Sequence, residues 1–217
     1  MTRWPFRAAL VDLDGTLVDT LPDFLAALNA TLGELGWGAV DHGFVARTVG
    51  KGSEHLIRST LAHVGAPQAE YERAWAAYQR HYRVSNGRAA TVYPGAAEGL
   101  QRLADAGWRL ACVTNKPTDF ARALLEATGL AHFFAFTFGG DAFARRKPDP
   151  LPLLEACRAL GSVPSHTLMI GDSSNDAAAA RAAGCPVLLA TYGYNHGEPV
   201  RAVDADGFFA RLDEIGC

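Results

Sequence analysis

The sequence has no excess of either charge. Its 20 lysines and arginines stand against 23 aspartates and glutamates, a formal net charge of −3 over 217 residues. Nothing along it forms the basic footprint of a nucleic-acid-binding face or of a membrane-surface segment, so neither partner is expected. Long apolar runs are missing as well, and none is long enough to span a bilayer. The opening Met1-Thr2-Arg3-Trp4-Pro5-Phe6-Arg7 lacks the apolar centre of a signal peptide. Cysteine is sparse: Cys112, Cys157, Cys185 and Cys217 show no C-x-x-C spacing. They read as free thiols in a reducing cytoplasm, unconnected with chemistry. There is no internal repeat and no low-complexity segment, apart from an alanine-rich stretch over 177–183.

What is present is ample apolar material, 49% of residues, in a chain of a length that suits one large domain or one domain with a smaller insert. A short apolar run, Ala8-Ala9-Leu10-Val11, reads as a fully buried strand. Asp12-Leu13-Asp14-Gly15-Thr16 follows it directly. In extended backbone, residues two apart point the same way. Asp12 and Asp14 are therefore expected to share one small volume at the strand's C-terminal end, before Gly15 lets the chain turn. Two carboxylates that close repel unless a cation or a proton lies between them. A plain strand followed by an Asp-Gly turn is the alternative, and the rest of the chain decides.

From about 19 to 91 the pattern is helical, with no strand expected. Thr20 can cap a first helix, with Pro22 and Asp23 in its first turn and Phe24, Leu25, Leu28, Leu32 and Leu35 on one stripe up to Gly36. A second pattern runs through Leu56, Ile57, Leu61 and Val64. A third, over 67–83, carries Tyr71, Trp75, Tyr78 and Tyr82, an aromatic stripe best explained by packing. After Tyr93-Pro94-Gly95, helices and strands alternate. Strands are expected over 109–114, weakly over 134–137, over 167–171 and over 186–190. Helices are expected over 95–106, 118–128, from about 149, over 175–183, and finally over about 207–215. Such alternation implies a parallel sheet with right-handed crossovers. The architecture predicted is α/β: a doubly wound, Rossmann-like parallel sheet formed by 1–18 and 92–217, with an all-helical cap inserted over 19–91. The insert leaves from the strand ends, where these folds place ligands, and is positioned to act as a lid.

Further polar motifs fall at strand ends. Thr114-Asn115-Lys116 follows the second strand and offers a hydroxyl, a carboxamide and backbone N–H groups to a phosphoryl group, although an ordinary helix cap looks the same. Lys147, in Arg145-Arg146-Lys147-Pro148-Asp149-Pro150, sits on a proline-stiffened lead-in that can hold one point charge between carboxylates and phosphate. A solvated basic turn is the other reading, and suits Arg145 and Arg146. Gly171-Asp172-Ser173-Ser174-Asn175-Asp176 would bring Asp172 into the crevice of Asp12, with Asp176 a turn later. Mg²⁺ is commonly held by one or two carboxylates with water and phosphate. Four such motifs in order, each at its own strand end, are hard to explain as turns.

On these residues the chain is identified as a member of the haloacid dehalogenase-like phosphatase superfamily, with the helical cap after the first motif. Val49-Gly50-Lys51-Gly52, Val113-Thr114-Asn115-Lys116-Pro117 and Thr191-Tyr192-Gly193-Tyr194-Asn195-His196-Gly197-Glu198 bring it close to the phosphoglycolate phosphatases; phosphatases acting on N-acetylmuramic acid 6-phosphate share much of this pattern. The resemblance implies that Asp12 is the nucleophile and forms an aspartyl-phosphate. It implies Mg²⁺ at Asp12, the Asp14 carbonyl and Asp172, with Asp176 supporting the metal through water or orienting neighbours. Thr114 and Asn115 would bind the phosphoryl oxygens, Lys147 would neutralise the nucleophile's surroundings, and Asp14 would be the acid and base. A substrate carboxylate needs a cation. Lys51 at a glycine-flanked turn is the candidate, against the alternative of a solvent-facing lysine, with Arg47, Arg58 and His55 as competitors. Tyr194, Asn195 and His196 are placed to line the crevice. The expected partner is a small phosphorylated metabolite, met in the cytoplasm by a monomer or homodimer. A phosphomutase or a silent phosphometabolite sensor are the competing readings; a dehalogenase has no use for the second aspartate.

Overall fold

The computed structural model describes residues 6–216. Its centre is β1 (Ala8–Val11), whose four side chains have no exposure at all. On one side β1 pairs with β4 (Arg109–Val113), and on the other with β6 (Thr167–Gly171), both in parallel. Outside these lie β5 (Thr137–Phe138) beyond β4, and β7 (Val187–Ala190) then β8 (Gly207–Phe209) beyond β6. The six strands run in the order β5-β4-β1-β6-β7-β8, the doubly wound arrangement expected from the alternating pattern.

Strand periodicity divides the core into two layers. Ala9, Val11, Leu110, Cys112, Leu168 and Ile170 face one side, where α5 (Ala96–Asp105) and α6 (Thr118–Ala127) cover them with Leu100, Leu103, Leu124 and Leu125. Ala8, Leu10, Ala111, Val113, Met169 and Leu189 face the other. There α7 (Leu151–Ala159) and α8 (Ser174–Ala183) supply Leu153, Ala156, Ala177 and Ala180. The alanine-rich α8 thereby lies close against the strands that carry the polar motifs.

A third apolar cluster lies between β1 and β4 in the chain. It belongs to α1 (Leu21–Leu35), α2 (His42–Thr48), α3 (Ser53–His63) and α4 (Tyr71–Ser85), joined by Phe120 of α6. Tyr78 stacks on Tyr82, and Tyr82 on Phe24, with ring centroids 5.2 and 4.9 Å apart. Helix α2 has no counterpart in the periodicity. It is short and depends on the Asp41 side chain, which accepts from Phe44 N at 2.7 Å.

Four local expectations are corrected. Residues 207–215 form no helix: β8 extends the sheet and a 3₁₀ turn, Leu212–Glu214, follows. Phe208, Phe209, Leu212 and Ile215 mimic a helical stripe, but the open edge of β7 takes Gly207–Phe209 as a strand, with Phe209 opposite Ala190. The margins of the helical stretch are not helical: β2 (Val18–Asp19) and β3 (Thr91–Val92) pair antiparallel. Thr20 does not cap α1 with its side chain; Asp19 Oδ1 accepts from Leu21 N at 3.2 Å, and Thr20 Oγ1 has no partner among the described residues. The weak strand begins at Thr137 because Ala131–Phe133 coils into a 3₁₀ turn before it. Cys112, Cys157 and Cys185 are free and buried; Cys217 lies outside the described residues. No helix among the described residues is long and apolar enough to cross a membrane.

Candidate active site

The C-terminal ends of β1, β4 and β6 meet at the middle of the sheet. Asp12, Thr114 and Asp172 follow these strands directly, so the fold delivers all three to one crevice. Gly15, at φ +82°, turns the chain away after Asp14, and a Cβ there would lie 2.4 Å from Asp172 Oδ2. Gly193 is equally constrained, since its Cβ would lie 2.2 Å from that of Asp172. Only glycine lets the two loops close around Asp172.

Lys147 lies beneath the carboxylates. Its side chain is 1% exposed, with Nζ 3.0 Å from Asp12 Oδ1 and 2.7 Å from Asp176 Oδ1. It also donates to Val113 O at 2.7 Å. Burial opposes its charge, but Asp12 and Asp176 outweigh that and hold it protonated. Asp176 is committed on both oxygens: Oδ2 accepts from Asp172 N, Ser173 N and Ser173 Oγ at 3.2, 3.1 and 2.9 Å. It thus organises the start of α8 and anchors Lys147 at the same time.

Asp172 has a different environment. Its oxygens accept from Thr16 Oγ1 at 3.2 Å and from Tyr194 N at 2.7 Å, and no cationic side chain pairs with it among the described residues. Burial, then Asp176 and Asp12, push its carboxyl well above the usual range. Burial also pushes Asp12 up, to about 6, against the pull of Lys147. Asp12, Asp172 and Asp176 each bring an oxygen within 4.8 Å of the others. A buried cluster with more negative than positive charge, built from hard oxygen donors, fits a divalent cation.

Asp14 faces a cation that the motif reading left without a role. Lys116 Nζ lies 3.0 Å from Asp14 Oδ1 and also donates to the Tyr82 hydroxyl. Thr114 and Asn115 are buried and line the same cavity. The Asn115 carboxamide donates to Lys147 O at 2.8 Å and to Gly50 O at 2.9 Å. Both of its N–H bonds are thereby engaged, so its side chain ties two loops together and leaves only an acceptor oxygen toward the cavity.

The helical segment closes the other side. Phe24, Val49, Gly50, Gly52, Ser53, Leu56 and Tyr82 face the cavity, whose volume is about 30 Å³. Gly50 O accepts from Asn175 Nδ2 as well, at 3.1 Å. His196 Nδ1 lies 3.0 Å from Val49 O, a contact that requires Nδ1 to carry the proton, so Nε2 accepts from Asn175 at 3.2 Å. Burial and then the charge of Lys51 lower the pKa of His196, which agrees with a neutral ring. Tyr194 extends the connection: its hydroxyl donates to Asp19 Oδ1 and accepts from Thr20 N, both at 2.8 Å. Lys51 is exposed; its neighbours Gly50 and Gly52 line the cavity and its own side chain does not.

Asp12, Asp14, Thr114, Asn115, Lys147, Asp172 and Asp176 therefore meet, and Lys51 stands apart. Sequence reasoning missed Lys116, although its position directly after Thr114-Asn115 was the available signal. It also missed Tyr82, whose ring packs as expected while its hydroxyl reaches the site. The pins at Asn175, His196 and Tyr194 join residues more than a hundred positions apart, and no local spacing announces them.

Fold and site define an α/β enzyme with its carboxylates at the sheet's switch point and a helical segment facing them. A family model for haloacid dehalogenase-like hydrolases matches residues 6–184. A phosphoglycolate phosphatase of Cupriavidus necator, plasmid-borne, is 43% identical over 212 residues, 97% of this chain and 92% of that protein. One from Thiobacillus denitrificans is 41% identical over 215 residues, 97% of this chain and 94% of that protein. Among solved structures, that of a predicted phosphoglycolate phosphatase from Haemophilus somnus superposes with a TM-score of 0.93 at 31% identity, covering 97% of this chain and 96% of that one. The chain belongs to the haloacid dehalogenase-like hydrolases.

Proposed function

We propose that this enzyme hydrolyses a small phosphomonoester, 2-phosphoglycolate, to glycolate and phosphate. The observation behind the chemistry is Asp12 at a strand end, 3.0 Å from a buried Lys147 and within 4.8 Å of Asp172, which has no cationic partner of its own among the described residues. Support for this substrate comes from the relatives at about 40% identity and near-complete coverage, which are named phosphoglycolate phosphatases.

Asp12 attacks phosphorus in line, the P–O bond to the glycolate oxygen breaks, and an aspartyl-phosphate forms. Asp14 gives its proton to the departing alkoxide, then takes one from the water that splits the acyl phosphate and regenerates Asp12. Lys147 keeps Asp12 in the ionised form that attack requires. Thr114 presents its hydroxyl to the phosphoryl oxygens, with backbone N–H groups beside it. Asp176 orients Lys147 and the Asp172 loop. Asp12, the Asp14 carbonyl and Asp172 are the proposed ligands of Mg²⁺, which when bound lessens the repulsion between the carboxylate and the anionic ester. Helices α1 to α4, within 19–91, act as the cap, and 1–18 with 92–217 as the catalytic core. Lys51, exposed and outside the cavity wall, takes no part in this scheme. The partner is a small phosphorylated metabolite in the cytoplasm, with neither nucleic acid nor membrane involved, and the working form is a monomer or homodimer.

The test is phosphate release from 2-phosphoglycolate, N-acetylmuramic acid 6-phosphate and several hexose phosphates, each with Mg²⁺ and with chelator. A chelator-sensitive preference for 2-phosphoglycolate is expected. Preference for the sugar acid would keep the mechanism and overturn the substrate. Isomerised product without free phosphate would indicate a mutase.

A further inference from the structure

Building on the phosphoglycolate reading, we propose that Lys116 is the residue that selects for a carboxylate on the substrate. Among the described residues that line the cavity it is the one lysine or arginine; Lys147, Lys51 and Arg47 are not part of the wall. Lys147 is already engaged by Asp12, Asp176 and Val113 O. His196 is a neutral acceptor toward Asn175. Among the described residues, a second anionic group entering beside the phosphoryl site therefore has one wall cation to meet, Lys116, whose charge it would share with Asp14.

Lys116 is built for that role. Its side chain is 1% exposed, so its charge is little screened. Two of its three N–H bonds go to Asp14 Oδ1 and the Tyr82 hydroxyl, and no third partner is found among the described residues. The Phe24 ring centroid lies 4.6 Å from Nζ, and Tyr82 holds it through its hydroxyl, so two aromatic side chains of the helical segment fix its position. It stands beside Asp14, the residue placed to protonate the leaving oxygen. In 2-phosphoglycolate only one carbon separates that oxygen from the carboxylate, so a cation adjoining Asp14 is at the distance the substrate requires. Lys51, exposed and absent from the cavity wall, lacks both the burial and the contact.

The experiment compares kcat/KM for 2-phosphoglycolate with that for 2-hydroxyethyl phosphate, which keeps the ester and replaces the carboxylate by a hydroxymethyl group. In Lys116→Met the preference for the carboxylate substrate should collapse by ~10²-fold, the scale of a lost hydrogen bond between charged groups. Lys116→Gln retains a donor to Asp14 without the charge, guards against misfolding, and should lose the preference as fully. Lys116→Arg should restore a large part of it. Lys51→Ala should leave the ratio within about 3-fold, as expected for an exposed rim charge. An equal fall on both substrates would overturn the assignment and leave Lys116 a positioning residue for Asp14; a collapse in Lys51→Ala instead would transfer the role to Lys51. A wild-type enzyme that acts on phosphoglycolate no better than on hydroxyethyl phosphate would defeat the substrate reading itself, and this proposal with it.

Discussion

The two walls of the site are built on opposite principles. On the sheet side, Asp12, Lys147, Asp172 and Asp176 are almost fully buried, and the Lys147 ammonium and both Asp176 carboxylate oxygens are engaged within the network. On the helical side, the turn at Gly50-Lys51-Gly52 is more exposed and is held by a few side-chain contacts to backbone carbonyls. A rigid wall suits chemistry, which requires atoms preorganised to a fraction of an ångström. A lightly pinned wall suits admission and release of substrate, for which a 30 Å³ cavity must open.

Breaking the rigid wall should have the largest effects. Asp12→Asn should lower phosphate release by about 10⁴-fold or more, because it removes the carboxylate proposed to form the acyl phosphate. Asp14→Asn should cost ~10²–10⁴-fold on alkyl phosphates, the range of general acid catalysis. Full activity in the first variant, or an unchanged rate in the second, would remove that residue from its proposed role. Lys147→Met should be destabilising by about 3–5 kcal/mol, since it leaves two buried carboxylates without their cation. Chemical denaturation would measure it; a loss under 1 kcal/mol would mean that water reaches the cluster.

The same contrast explains what was legible in the sequence. Asp12, Thr114 and Asp172 could be read because each directly follows an apolar run, and a parallel sheet gathers its strand ends whatever the intervening lengths. Lys147 needed only a rigid approach. Lys116 was harder to read because its role depends on Tyr82 and Phe24, which reach it from helices elsewhere in the chain. Asn115 looked like a phosphate ligand, and its engagement with Gly50 O and Lys147 O depends on two loops meeting. The C-terminal strand β8 was misread as helix because Phe208, Phe209, Leu212 and Ile215 satisfy a helical spacing, and the edge of β7 decided the matter.

Proton linkage sharpens the rigid side further. Asp12 is raised to about 6 and Asp172 well above its usual range, both first by burial. For an acid whose folded pKa is raised, the contribution to stability is full below the unfolded pKa and is lost as pH rises through the folded value. The metal-free protein should therefore lose stability from this pair as pH climbs from about 4 through 6 and beyond. A divalent cation must displace those same protons, so its affinity should rise over the same interval. The increase in melting temperature produced by Mg²⁺ should be small at pH 5 and larger at pH 7.5. An increase independent of pH would show that the cation binds elsewhere or that the carboxylates are already ionised.

The smallest effect should come from the helical wall. Asn175 Nδ2 reaches Gly50 O at 3.1 Å and His196 Nε2 at 3.2 Å, so one carboxamide joins the Gly50 turn to the loop after β7. Asn175→Ala removes both bonds at a partly exposed site, each worth about 1 kcal/mol or less. If the turn closes over substrate, that loss falls on the closed state, and KM should rise a few-fold while kcat changes little. If the turn is as rigid as the sheet side, the variant should instead lose kcat, because misplacing Gly50 would displace Asn115 and with it the loop carrying Lys147. The ratio of the two effects therefore tests whether the two walls differ in function as they do in construction.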